Sequence, residues 1–279
     1  MNALSDVPDG ATEITLDLQR HCYSPREAPR AGDVWRLCQA AAVRDSVARG
    51  WPPQRYTEEG TGFVVYGAVA VHTRPIRYGE PLVARTWLRD FRRGILSRRE
   101  VRIYAAGELA AAATQRWAHI SADMTPSRAS ADLLAAFQPL PGGGAELRLP
   151  DWEAVDGPRF EQTFRSWHTR VDPLNHANHP SYVDWCEEAT AAAVFDAGGD
   201  PHALTPVAER VSLKSGIAGG EVVTVRGQVV GVTAAGDVGL EFWIGVGEER
   251  RASAWTVRRL AGGDLLARLG GSPPALDAI

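Results

Sequence analysis

The stretch RVDPLNHANHPSYVDWCEEA, residues 170–189, decides how the rest of the chain is read. It crowds Asp172, Asn175, His176, Asn178 and His179 into the eight positions 172–179, then turns abruptly into a regular pattern. Tyr182, Trp185, Cys186 and Ala189 recur at helical spacing with no Gly or Pro among them, so a helix is predicted over 180–197. Pro180 suits the first helical turn, where its missing N–H costs nothing, and Asn178 or His179 can cap it. The leading amides of such a helix are expected to point at whatever precedes them and to stabilise an anion or a developing oxyanion. Asp172 lies close enough upstream to present a carboxylate to the same spot. A carboxylate that activates water or attacks directly, facing donors that polarise a carbonyl, is an arrangement suited to acyl transfer. A polar turn with a helix cap would use the same residues without chemistry.

Working outward, the same order of elements occurs twice. The first half predicts a helix over 33–49, a long strand over 63–76, a Tyr78-Gly79-Glu80 turn, and strands over 82–88, 95–104 and 108–120. After the 180–197 helix, the second half predicts a strand over 207–213, a Gly219-Gly220-Glu221 turn, and strands over 222–232, 238–246 and 251–260. Cys38 and Cys186 differ by 148, as do Ala41 and Ala189; Gly79 and Gly220 differ by 141, and Trp117 and Trp255 by 138. Slowly shrinking offsets describe a duplication of whole domains rather than a short solenoid repeat. Between the copies, 127–150 holds a short helical segment and then PLPGGG, a linker composition. The expected division is a first domain over 1–126, a linker over 127–150 and a second domain over 151–279. Each domain is an α+β unit, a curved antiparallel sheet wrapped around one central helix.

The bulk numbers narrow the function. With 44% hydrophobic and 23% charged residues the 279-residue chain reads as globular, and a net charge of −4 gives no footprint for nucleic acid or an anionic membrane. No apolar run reaches the roughly 20 residues of a membrane span, and the N-terminus shows no secretory pattern. Cys22, Cys38 and Cys186 have no metal-ligand or CxxC spacing and are expected to be buried small hydrophobes of a reduced, cytoplasmic protein. No metal, nucleotide or other cofactor motif is visible. Lys214 is the only lysine; nearly all positive charge is arginine.

Three segments carry a family likeness: VHTRPIRYGEPLVARTWL, RRGILSRREVRIYAAGELAAAATQRWAHISADMTPSR, and PRFEQTFRSWHTRVDPLNHANHPSYVDWCEEA. Together with the element order they resemble the hotdog-fold thioesterases, in particular the tandem double-hotdog acyl-ACP thioesterases of plants and bacteria. The likeness extends over residues 15–262, and its most specific part is the D-x-x-x-H-x-N-x-x-x-Y-x-x-W pattern from Asp172 to Trp185. It implies two hotdog domains paired as a pseudo-dimer within one chain, with further self-association open. It also implies hydrolysis of an acyl thioester held on acyl carrier protein or CoA, in fatty-acid or polyketide biosynthesis.

By the same resemblance Asp172 and His176 are the functional pair. Asp172 would be general base or nucleophile; His176 would orient water or substrate and donate a proton, with Asn175 and Asn178 as positioning groups. His168, on the strand before the loop, is a candidate for the pocket lining. Glu187 and Glu188 are secondary candidates, because some hotdog thioesterases place an acid on this helix; a solvated face is the plainer reading of both. Carrying the offset of 148 back from Asp172, His176 and Asn178 gives Ser24, Ala28 and Arg30, so one site per chain is expected. The basic hairpin 89–99 is a candidate surface for an acidic carrier protein, or simply a solvated turn.

The chain departs from the plant pattern in two places. Leu174 stands where an Asn is found, and 210–221 lacks the acid–Cys pair. A dehydratase or cyclase acting on a carrier-bound chain, or a non-catalytic acyl-binding protein, therefore stays open beside the thioesterase.

Overall fold

The computed structural model describes residues 4, 6–140, 142, 146–260 and 265–270. The chain divides into two compact units, one running to Arg148 and one from Leu149, with the short segments Ser24–Arg26 and Arg30–Gly32 grouped with the second.

The first unit contains β1 (Thr12–Leu16), α1 (Ala31–Ala48), α2 (Pro53–Glu58), β2 (Thr61–His72), β3 (Leu82–Arg92), β4 (Leu96–Ala105), β5 (Glu108–Ser121) and α3 (Ala131–Ala136). Its strands pair antiparallel in the order β1-β3-β4-β5-β2. Along α1, Val34, Leu37, Cys38, Ala41 and Asp45 are buried at intervals of three and four, the spacing of one helix face. Asp45 ties the helix to the sheet, accepting from Arg99 on β4 at 2.6 Å and from the Thr12 hydroxyl on β1 at 2.6 Å. The stretch expected as a linker is structured up to residue 140. Ser130 caps α3 by accepting from the Leu133 amide, and Leu133 and Phe137 join a cluster with Trp51, Leu88 and Ala129. Residues 141, 143 and 144 of the PLPGGG reading, and residue 145 after it, lie outside the described residues.

The second unit contains β6 (Trp152–Ala154), β7 (Arg159–Arg165), α4 (Pro180–Asp196), β8 (Leu204–Leu213), β9 (Val222–Thr233), β10 (Val238–Val246), β11 (Glu249–Leu260) and the short α5 (Leu265–Arg268). Its strand order is β8-β11-β10-β9, with β6 and β7 both pairing antiparallel along β9. Val223, Val225 and Val229 of β9 are fully buried at even spacing, as period-two alternation requires. Against this sheet packs α4, touching β7, β8, β9 and β11. Its buried face includes Tyr182, Trp185, Cys186, Ala189 and Thr190.

The duplication is visible in backbone detail. A 3₁₀ turn at Arg20–Cys22 and another at His168–Arg170 each precede an isolated bridge, Tyr23↔Pro29 in one unit and Val171↔Ala177 in the other. Glu27 and Asn175 hold the same left-handed position, at φ 57° and 62°. All three pairs are related by 148. Further on, Gly79 and Gly220 turn at φ 85° and 83°. There Glu80 accepts the Arg77 amide and Glu221 the Ala218 amide, both at 2.7 Å. Those positions are related by 141.

Of the cysteines, Cys38 and Cys186 are buried as expected, whereas Cys22 is half-buried at the end of the 3₁₀ turn Arg20–Cys22. Among the described residues, no helix is long and apolar enough to cross a membrane.

Candidate active site

The polar stretch before α4 folds into a small hairpin. The Asp172 amide donates to the His176 carbonyl at 2.8 Å, the Asn175 amide to the Asp172 carbonyl at 2.9 Å, and the Asn178 amide to the Arg170 carbonyl at 2.9 Å. Asn175 closes the turn in the left-handed region, which Asn tolerates better than most residues. Asp172 and His176 therefore face each other across the hairpin, and alternation puts Val171 and Ala177 on its other side.

A second segment runs beside the hairpin. The Ala177 amide donates to the Ile217 carbonyl at 2.7 Å, and the Ser166 amide to the Glu221 carbonyl at 2.8 Å. This arch, residues 214–221, is pinned in turn by Arg251 of β11. The Arg251 carbonyl accepts the Lys214 amide at 2.8 Å, and its guanidinium reaches the Gly216 carbonyl at 3.3 Å and Glu249 at 3.2 Å.

Asp172 is half-buried, with Oδ1 accepting the Leu174 amide at 2.9 Å. Desolvation lifts its pKa above the ordinary carboxylate value; the backbone donors of Leu174 and His176, and the His176 ring, pull the other way without cancelling the rise. A carboxyl moved upward in this way is a stronger base toward water than an exposed Asp. Leu174, at the position of the family's Asn, contributes its backbone N–H to this turn. Next to Asp172 in the field of the site lies Tyr182, whose buried phenol is pushed well above its usual range. Arg251 and Glu221 belong to the same electrostatic neighbourhood.

Several expectations need correction. The first amides of α4 are not turned toward a ligand: Ser181 N–H donates to the Asn178 carbonyl at 2.8 Å and Tyr182 N–H to the His179 carbonyl at 3.3 Å, while Pro180 has none. His179 occupies the cap position with helical dihedrals and makes no side-chain cap bond. A tight turn leading into the helix has taken up these donors. His168 is exposed within the 3₁₀ turn His168–Arg170, because β7 ends earlier, at Arg165. Asn175 is exposed, and its place in the left-handed turn accounts for it.

The two glutamates of α4 separate. Glu188 is exposed. Glu187 instead turns inward: its carboxylate accepts the Ala31 amide at 3.2 Å. Burial raises its pKa, while Arg258 and Arg26 oppose that rise. The solvated reading of Glu187 fails because its helix face looks onto the buried Glu209–Arg258 ion pair. The basic hairpin is also largely self-neutralised. Arg98 pairs with Asp90, Arg89 with Glu100 at 3.7 Å, and Arg99 with Asp45 at 2.6 Å.

Sequence reasoning passed over Gly216 and Arg251, and read Gly219 only as part of a turn. The signal was present in the repeat, where IRYGE at 76–80 aligns with IAGGE at 217–221 and Pro75 with Gly216. Among the described residues no cluster of three or more His, Cys, Asp or Glu is placed to hold a metal ion.

No family model and no curated protein matches the sequence. Solved structures do. A Lactobacillus plantarum protein provisionally assigned as an oleoyl thioesterase aligns with a TM-score of 0.77 at 19% identity, over 91% of this chain and 99% of its own. The 12:0-ACP thioesterase of Umbellularia californica aligns with a TM-score of 0.72 at 13% identity, over 89% and 94% of the two chains. An acyl-ACP thioesterase of Bacteroides thetaiotaomicron gives 0.68 at 10% identity, over 89% and 97%. Over most of its length the chain therefore has the fold of these thioesterases, two hotdog units in tandem.

Proposed function

We propose that the protein hydrolyses an acyl thioester carried on acyl carrier protein or CoA, releasing a free carboxylic acid and a thiol. The observation that carries this reading is the hairpin before α4, which sets Asp172 opposite His176 in the second copy of the repeat, while the same backbone in the first copy presents Ser24 and Ala28. Likeness of fold to acyl-ACP thioesterases supports it.

In this mechanism Asp172 takes a proton from water as the oxygen attacks the thioester carbonyl carbon. His176 orients that water, and Asn178 donates toward the carbonyl oxygen where the helix amides do not. Collapse of the tetrahedral intermediate breaks the C–S bond, and the departing sulfur receives the proton from the Asp172–His176 pair. A nucleophilic Asp172 would reach the same products through an anhydride that water then opens. No cofactor enters these steps. Pairing of the two units as a pseudo-dimer, and action in the cytoplasm on fatty or polyketide chains, belong to the same proposal.

The test is thiol release from a panel of acyl-CoA and acyl-ACP substrates. Asp172→Asn is expected to lose about a hundredfold or more in kcat while keeping its fold. Absence of thiol release from every substrate would overturn the hydrolase reading.

A further inference from the structure

Resting on that reading of His176, we infer that Gly216 is a positioning residue for the reaction: it is the surface against which the His176 imidazole is seated. A Cβ built on Gly216 would lie 2.3 Å from Cδ2, 2.6 Å from Cγ and 2.9 Å from Nε2 of His176. Those are its three nearest atoms, and all belong to the one ring. Gly216 does not adopt a positive φ, so backbone conformation is no reason for glycine here. Space for the imidazole is.

The repeat supplies an internal comparison. The copy with His176 has Gly216; the copy with Ala28 at the equivalent place has Pro75. The backbone equivalence behind this alignment is secure, since Lys214 and Ser215 amides bond the Arg251 carbonyl as Thr73 and Arg74 amides bond the Ala110 carbonyl. Where the imidazole is absent, so is the glycine that makes room for it.

The seat is also held rigidly. Arg251 grips the arch through its carbonyl at Lys214 and through its guanidinium at Gly216, and Ala110 occupies the corresponding place in the first copy. The next glycine of the arch, Gly219, fits against the hairpin in the same manner, with a built Cβ 2.8 Å from a Val171 methyl. The arch thus sets both the height of the hairpin and the tilt of its histidine, and a shift of the ring by an ångström is enough to lower catalysis substantially.

The test is a double-mutant cycle of Gly216→Ala and His176→Ala, reading kcat, KM and Tm, with the His176 imidazole resonances followed by NMR. Gly216→Ala is expected to lower kcat tenfold or more, leave KM within twofold, and move the His176 resonances. In the His176→Ala background the same substitution should change neither kcat nor Tm, because the atoms it strikes are gone. If Gly216→Ala alone unfolds, a folded double variant supports the inference and an unfolded one overturns it. Full activity of Gly216→Ala beside an inactive His176→Ala overturns the inference and leaves the catalytic reading standing. Full activity of His176→Ala overturns the catalytic reading, while a shifted resonance in Gly216→Ala would still establish the contact.

Discussion

Burial works against charge at Asp172, and the consequence can be read in two directions. For catalysis the base form is required, so the acid limb of kcat/KM should fall above the ordinary Asp value of about 3.9. A limb at or below that value would remove Asp172 as the base. For stability the sign reverses. The folded state holds the proton longer, so stability declines as pH rises from the unfolded value through the folded one. Asp172→Asn abolishes this loss. Its Tm relative to wild type should therefore be higher at pH 7 than at pH 3, which parallel melts would show. At Glu187 desolvation likewise raises the pKa, but here an amide donor and two arginines surround the carboxylate and oppose the rise. Glu187→Gln keeps an acceptor for the Ala31 amide, and kcat within about threefold of wild type is the expected result. A hundredfold loss would bring Glu187 into the chemistry.

At the scale of elements, what the sequence disclosed depended on period. Strand β9 alternates cleanly, β10 and β11 are apolar or β-branched runs bounded by turn residues, and α4 repeats at three and four, so their limits were legible to within a residue or two. By contrast β1, α2 and β6 are short and held by partners distant in sequence, such as Thr12 against Asp45, and local pattern does not announce them. The site divides the same way. Asp172 and His176 were legible as residue types, but their meeting across a hairpin depends on a left-handed Asn175 and an amide bond to Ile217. The misplaced oxyanion donors show the limit: Pro180 announced the start of the helix, yet not that its next amides would be taken up by the turn before it. One tie between elements is open to direct test. Removing the Asp45 carboxylate leaves Arg99 buried without its charge partner, a change that costs about 3–5 kcal/mol. Its pKa is lowered in the fold, with Arg99, Arg49 and the Thr12 hydroxyl outweighing desolvation. The stabilisation is thus present above the ordinary carboxylate value and lost as pH falls through the folded one. Denaturant melts of Asp45→Asn against wild type should converge in acid and separate near neutrality.

For the whole molecule, duplication explains why two loops share one backbone and differ in their side chains. Each copy keeps the 3₁₀ turn, the bridge and the left-handed residue; only the second keeps the acid and the imidazole. Titration with a non-hydrolysable acyl thioether should therefore saturate at one equivalent per chain, whereas two would show that the first copy also accepts ligand. The arch has a practical consequence as well. Lys214, the only lysine of the sequence, is exposed two residues from Gly216. A fluorophore attached to that single side-chain amine would sit beside the candidate site without a cysteine being engineered, and a change in its emission on mixing with an acyl thioester would give a direct readout of ligand binding there.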